Sequence, residues 1–191
     1  TKLEQERLAL SYRDRGLEVV VVRPSAVFGP GDPEGMNTLL WMVKTGRLPF
    51  YLGSAQAVVN LVFVRDVVRG TVAAMARGRS GEVYHLVGPN LTQEQLFGLL
   101  AQVSGGRSPR WAMPVPVLVG AARLVTAGAR IAFRRRSLVH PHEVRSWTAP
   151  WIVSDEKARR ELELVPTDTA AAFRETLQWL SAQKAGRSAA R

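Results

Sequence analysis

Apolar and polar positions change period several times along the chain, and each change predicts an element. Over residues 2–15, Leu3, Leu8 and Tyr12 fall roughly on one helical face, and Gly16 ends the pattern. Val19 to Val22 is then an unbroken apolar run rich in β-branched residues. That is the pattern of a strand covered on both faces, as in a parallel sheet. Residues 30–35 predict a turn, Asn37 to Thr45 a short helix stopped at Gly46, and Leu48 to Leu61 a mixture of loop and short strand. Asp66 precedes a helix with Val67, Thr71, Ala74 and Met75 on one face; the reading makes Asp66 its cap and Gly78 its stop. GEVYHLVG predicts a second strand, and Thr92 with Gln95 a capping box ahead of LFGLLAQVSG.

The remainder is mostly helical. Pro114 to Arg136 is apolar with spaced arginines, and Ser154 caps DEKARREL. Pro166-Thr167 opens a last helix that shares Phe173, Leu177 and Leu180 on one face, and the tail after Gln183 is expected to fray. The order is helix, strand, insert, helix, strand, then helices, which is an α/β arrangement. Two strands of parallel type are legible, fewer than a doubly wound sheet needs. The chain begins with Thr1 inside a helical pattern, with no cap in front of it. Both features lead to the expectation of a fragment whose remaining strands lie upstream or in another chain.

Composition narrows the classes. With 191 residues, 46% of them hydrophobic, the chain has material for a core and for one domain or a domain and a half. The absence of cysteine excludes disulfides and Cys-zinc sites and fits a reducing cytoplasm. The net charge of +10 admits nucleic acid, anionic lipid or a phosphorylated ligand. Its Arg, Ala, Val, Leu and Gly content is what a GC-rich genome produces without functional pressure. The charge reads as diffuse and no recognised nucleic-acid motif is present, so nucleic acid is not an expected partner.

The end of the first strand carries the chemistry. In open α/β sheets, ligands bind beyond the carboxyl ends of the strands, and RPSAVFGPGD lies at such an end. Pro24 fixes the backbone and offers a flat apolar ring. Ser25, Ala26 and Val27 present N–H and C=O groups suited to a carboxamide, and Gly29-Pro30-Gly31 turns the chain sharply.

Thr1-Lys2, a helix, a valine strand, RPSAVFGPGD, VFVRDVVRG, GEVYHLVGPNLTQEQL and the tail WIVSDEKARRELELVPTDTAAAFRETLQWL follow one another in that order. In this order and spacing the chain, from Thr1 to about Leu180, resembles the second half of an extended short-chain dehydrogenase/reductase of the NAD-dependent epimerase/dehydratase family. The dihydroflavonol-4-reductase-like and hopanoid-associated sugar epimerase branch is the most similar. The resemblance implies the C-terminal part of a Rossmann-like doubly wound parallel sheet plus a mostly helical substrate-binding lobe. Residues 1–90 would close the nucleotide domain, with an insert at about 30–62. Residues 91–182 would form the lobe and 183–191 a disordered tail.

The resemblance also implies a site. Lys2 matches the Lys of the family's Tyr/Lys pair, whose members stand four residues apart on one helix; the Tyr falls before Thr1. The family mechanism makes that Tyr the general acid/base, while Lys2 holds the nicotinamide ribose of NAD or NADP and favours the phenolate. Lys2, Pro24, Ser25, Ala26 and Val27 would bind the cofactor. Phe28, Asn60 and Arg65 would face a substrate that is an alcohol, a ketone or a sugar derivative. The phosphate loop is missing, and GPGDPEG is not that loop, because it does not open onto a helix as a dinucleotide fingerprint should. The chain alone is therefore expected to be inactive, and a homodimer is a family-level expectation.

Other signals remain beside this one. Trp41, Tyr51 and Phe63 either border a substrate cleft or fill the core, and His85 reads as a core residue. His140-Pro141-His142-Glu143 has poor spacing for a metal pair and no third ligand, so no metal is expected. VPVLVGAARLVTAGARIAFRRRS is either a lobe helix with a basic end or an amphipathic membrane-surface helix. The alternatives are thus a non-catalytic cofactor-binding module of the same fold, or a basic protein that is cytoplasmic and membrane-associated.

Overall fold

A computed structural model describes residues 1–32, 35–132 and 152–189. The chain forms two units: Thr1–Asn37, Asn60–Pro89 and Val153–Arg191 in the first, and Thr38–Val59 and Asn90–Ile152 in the second. His140 to Glu143 and Arg134 to Arg136 lie outside the described residues.

The first unit begins with α1 (Lys2–Ser11), a 3-10 turn (Tyr12–Arg15) and β1 (Val21–Pro24). Thr1 does cap α1: its hydroxyl accepts from the Glu4 amide at 3.4 Å, and the Glu4 carboxylate accepts from the Thr1 backbone nitrogen. β2 (Ala26–Phe28), β4 (Val58–Phe63), α3 (Val64–Arg77) and β5 (Val83–Leu86) follow. β1 and β5 pair in parallel from Val21↔Val83 to Pro24↔Leu86. β2 and β4 also pair in parallel, from Ala26↔Leu61 to Phe28↔Phe63. Parallel strands are therefore more numerous than the sequence reading allowed. β2 is too short to show a period, and β4 carries Asn60 inside its apolar run.

Side chains of β5 alternate, so Tyr84 and Leu86 point to one face. There they bury against Ala73 and Ala74 of α3 and against Ala158 and Leu162 of α6 (Glu156–Leu162). Alanines on the helix side bring α3 close to the sheet. This turns the helix relative to the expected face, leaving Met75 outward at 84% exposed. A second cluster stacks Phe28 on Phe63 at 5.6 Å and on Phe173 of α7 (Thr169–Ala189) at 5.1 Å. Each tilted pair adds about 0.5–1.5 kcal/mol beyond its burial. α7 starts two residues after Thr167, with Asp168 accepting from the Ala171 amide at 2.8 Å. It continues to Ala189, beyond the expected fraying point.

The second unit holds most of α2 (Gly35–Lys44), β3 (Phe50–Leu52), β6 (Asn90–Thr92), α4 (Gln93–Ser104), β7 (Trp111–Met113) and α5 (Val115–Ala132). β3 and β7 pair in parallel, setting Phe50 beside Trp111 with ring centres 5.3 Å apart. The capping box at α4 forms as expected: the Gln95 amide donates to Thr92 Oγ1 at 3.1 Å, and the Thr92 amide to Gln95 Oε1 at 2.9 Å.

Candidate functional site

Two contacts hold α1 and the 3-10 turn after it beside β1. Arg13 lies against Gly81 beside the start of the strand, and Glu6 grips Arg23 near its end, with Nε at 2.9 Å and the second nitrogen at 2.5 Å. The helix therefore runs antiparallel to the strand. Lys2 stands four residues before Glu6 on the same helical face, roughly 6 Å further along the axis. The bidentate hydrogen bond to Arg23 holds the Glu6 carboxyl below its ordinary value, and the same bond raises Arg23.

The strand end itself is partly open. Ser25 extends the β1–β5 ladder by donating its amide to the Leu86 carbonyl at 3.1 Å. Pro24 and Ala26 are exposed, Val27 is half-buried, and Ser25 Oγ is buried with no hydrogen-bond partner among the described residues. A buried hydroxyl without a partner costs about 1–3 kcal/mol, which marks it as a group kept for something other than packing.

Three buried carboxamides shape the surrounding loops in the same way. Asn37 accepts from the Gly29 amide at 3.2 Å and donates to the Gly29 and Asp32 carbonyls at 2.6 Å each. Asn60 accepts from the Gly88 amide at 3.1 Å and donates to the Gly88 carbonyl at 2.7 Å. In the second unit, Gln93 does the same to Leu52, at 2.8 Å in both directions. Each ring of two bonds imitates one rung of a sheet. Two of the clamped residues must be glycine. At Gly29, φ is +137° and a Cβ would meet Val64 Cγ1 at 2.5 Å; at Gly88 it would meet the Leu61 carbonyl oxygen at 1.9 Å.

Other residues take positions the sequence did not separate. Phe28 is buried in the aromatic cluster. Arg65 is exposed and pairs with Glu175 at 2.7 Å. Asp66 does not cap its own helix. Its oxygens accept from the Thr167 amide at 2.9 Å and hydroxyl at 2.6 Å, and it pairs with Arg69. Tyr51 is buried on Phe97 and Phe63 lies in the core, while His85 is half-buried. A solvent-open cleft lies beside Asp66, Arg69, His85, Asp155 and Arg159. Its arginines are already paired with its aspartates, and neither Lys2 nor the 24–27 segment lines it. Asn37 and Gln93 were missed in the sequence; Asn37 stands in the first turn of an otherwise apolar helix, as Asn60 stands in an apolar strand, whereas Gln93 opens α4 beside Glu94 and Gln95 and carries no such signal.

Residues 1–87 match the NAD dependent epimerase/dehydratase family. Sterol demethylase protein B of Methylococcus capsulatus is 32% identical over 182 residues, covering 94% of this chain and 55% of that protein. The decarboxylating sterol-4-alpha-carboxylate 3-dehydrogenase of Bos taurus is 34% identical over 76 residues, 39% of this chain and 21% of the relative. The crystal structure of UDP-glucose 4-epimerase from Thermotoga maritima, with UDP-glucose, superposes with a TM-score of 0.69. It is 23% identical, covering 96% of this chain and 52% of that structure, and shows the Rossmann-type α/β fold. The chain spans about half the length of the first of these relatives and of the solved structure.

Proposed function

With residues 1–87 matching the NAD dependent epimerase/dehydratase family, we propose that the chain is the C-terminal portion of an NAD(P)-dependent oxidoreductase. The observation that carries this reading is the Glu6–Arg23 link, which supports Lys2 and the Pro24–Val27 segment sharing one strand end. The residues present fit a nicotinamide group. Ser25 Oγ is a buried polar atom with no hydrogen-bond partner among the described residues, and Pro24 and Ala26 leave an exposed apolar wall beside it.

A bound nicotinamide supplies hydride chemistry at that wall. The work of this chain is positioning. Lys2 would donate to ribose hydroxyls, and its charge would favour the phenolate of a Tyr four residues N-terminal to it. The Ser25–Val27 backbone would hold the carboxamide. Phe28 and Asn60 would act by shaping the strand end, and Arg65 by meeting polar groups of substrate at its edge. The sterol enzymes among the relatives support an apolar alcohol or ketone of sterol type as substrate over a sugar nucleotide. Exposed Leu3 and Leu8 on α1, a helix with no buried residue, and exposed Tyr12 just after it support a homodimer in which α1 is covered. A reducing cytoplasm is the setting consistent with a chain lacking cysteine.

Titration of the longest in-frame product of the gene with NADH and NADPH tests the reading. Saturable binding is expected for at least one, weakened about ten-fold or more by Lys2→Met, a loss on the order of 1.4 kcal/mol. A full-length product with no affinity for either cofactor would sink it. Binding without turnover of any alcohol or ketone would move the assignment to a non-catalytic cofactor-binding module.

A further inference from the structure

We propose that the second unit docks through the exposed face of α5 onto an anionic phospholipid surface. The inference stands apart from the catalytic reading and uses two observations.

The first is where the charge lies. Residues 38–59 and 90–152 carry ten Lys+Arg against two Asp+Glu, a net +8 of the chain's +10. The first unit's residues carry sixteen against fourteen. Between Glu94 and Glu143 there are seven arginines and no acidic residue. A genomic bias toward arginine would enrich both units alike. It does not remove the carboxylates from one of them. The charge that looked diffuse along the sequence is therefore segregated by the fold.

The second is α5 itself. Leu118 and Val119 are buried, while Val117, Ala121 and Leu124 form an i, i+4, i+7 stripe on the exposed side. Val117 is 55% and Leu124 76% exposed, and Arg123 beside them is exposed as well. An apolar stripe bordered by arginine and free of carboxylates suits the boundary between headgroups and acyl chains, where the guanidinium reaches outward to phosphate. Among the described residues no helix is long and apolar enough to cross a membrane, so the contact is a surface one. Nucleic acid would match the charge but would leave the Val/Leu stripe in water.

The first unit provides its own control. α3 also exposes an apolar stripe, Val68, Val72 and Met75, but in a unit with nearly balanced charge. The test is co-sedimentation of the full chain with vesicles of phosphatidylcholine alone or mixed with phosphatidylglycerol, with no cofactor present. Partition onto the anionic vesicles is expected, with release by salt and little binding to phosphatidylcholine. Arg123→Gln should lower partition about five-fold. Val117→Ser with Leu124→Ser should lower it about ten-fold or more, with thermal unfolding unchanged because both side chains are exposed. Val68→Ser with Val72→Ser should leave it unchanged. Equal binding to both vesicle types, or release by the α3 pair and not by the α5 pair, would overturn the proposal. So would displacement from vesicles by duplex DNA with the α5 pair without effect.

Discussion

Asn60 closes a ring of two hydrogen bonds with Gly88, accepting from its amide at 3.1 Å and donating to its carbonyl at 2.7 Å. The ring ties the middle of β4 to the loop after β5, so the backbone at the carboxyl ends of the strands is held by a side chain. Asn60→Asp keeps the acceptor but sets a carboxylate against the Gly88 carbonyl. The expected cost is about 1–3 kcal/mol, read from urea unfolding. A variant as stable as the parent would show that the ring has no structural weight.

Asp66 and Thr167 are 101 residues apart in sequence and bonded twice. Asp66→Ala, Thr167→Ala and the double variant form a thermodynamic cycle. A coupling of about 0.5–3 kcal/mol is expected for residues in one hydrogen-bond network. Additive losses would mean that the turn before α7 is held by other contacts.

Ser25 yields a prediction with two arms. Its hydroxyl is buried and unpartnered among the described residues. Ser25→Ala should therefore leave the unfolding free energy of this chain within about 0.5 kcal/mol, or raise it. In the full-length product the same change should weaken nicotinamide binding. Destabilisation of the chain by more than about 1 kcal/mol would assign the hydroxyl a structural partner instead.

Acid should loosen the first unit. Glu6 is held below the ordinary carboxylate value of 4.5 by its bond to Arg23, and Glu82 by its bond to Lys157. Burial pushes Glu161 up, but the bonds from Tyr84, Arg160 and Arg79 outweigh it and keep that carboxyl low. A carboxyl lower in the folded than in the unfolded state binds fewer protons when folded. Its stabilisation is present above the unfolded value and is lost as pH falls through the folded one. Melting temperature by circular dichroism should be level near neutral pH and fall below about pH 4.5. Glu6→Gln should flatten part of that decline. An unchanged profile in the variant would remove Glu6 from the account.

Local signals were legible wherever a short window contains the physics. The Thr92/Gln95 capping box and the Gly16 stop after the first helix follow from bonds or steric limits within a few residues, and the valine run does mark a strand, though it runs Val21–Pro24 rather than Val19–Val22 and its last two residues are exposed instead of covered on both faces. The order of motifs from Lys2 through RPSAVFGPGD to the C-terminal tail was enough to identify the family whose pattern residues 1–87 match. What the window does not contain was decided by tertiary structure. Asp66 has the position of a helix cap, yet it bonds Thr167, because a carboxylate takes whichever donors the fold brings nearest. Asn37 and Gln93 look like ordinary polar residues until burial obliges their amides to find backbone partners. Met75 fits the helical period of the buried face but points outward, since the sheet selects the small residues Ala73 and Ala74 for close approach. The net charge of +10 is a property of the sequence, but its gathering into one unit is not, because unit boundaries arise from contacts between segments far apart along the chain.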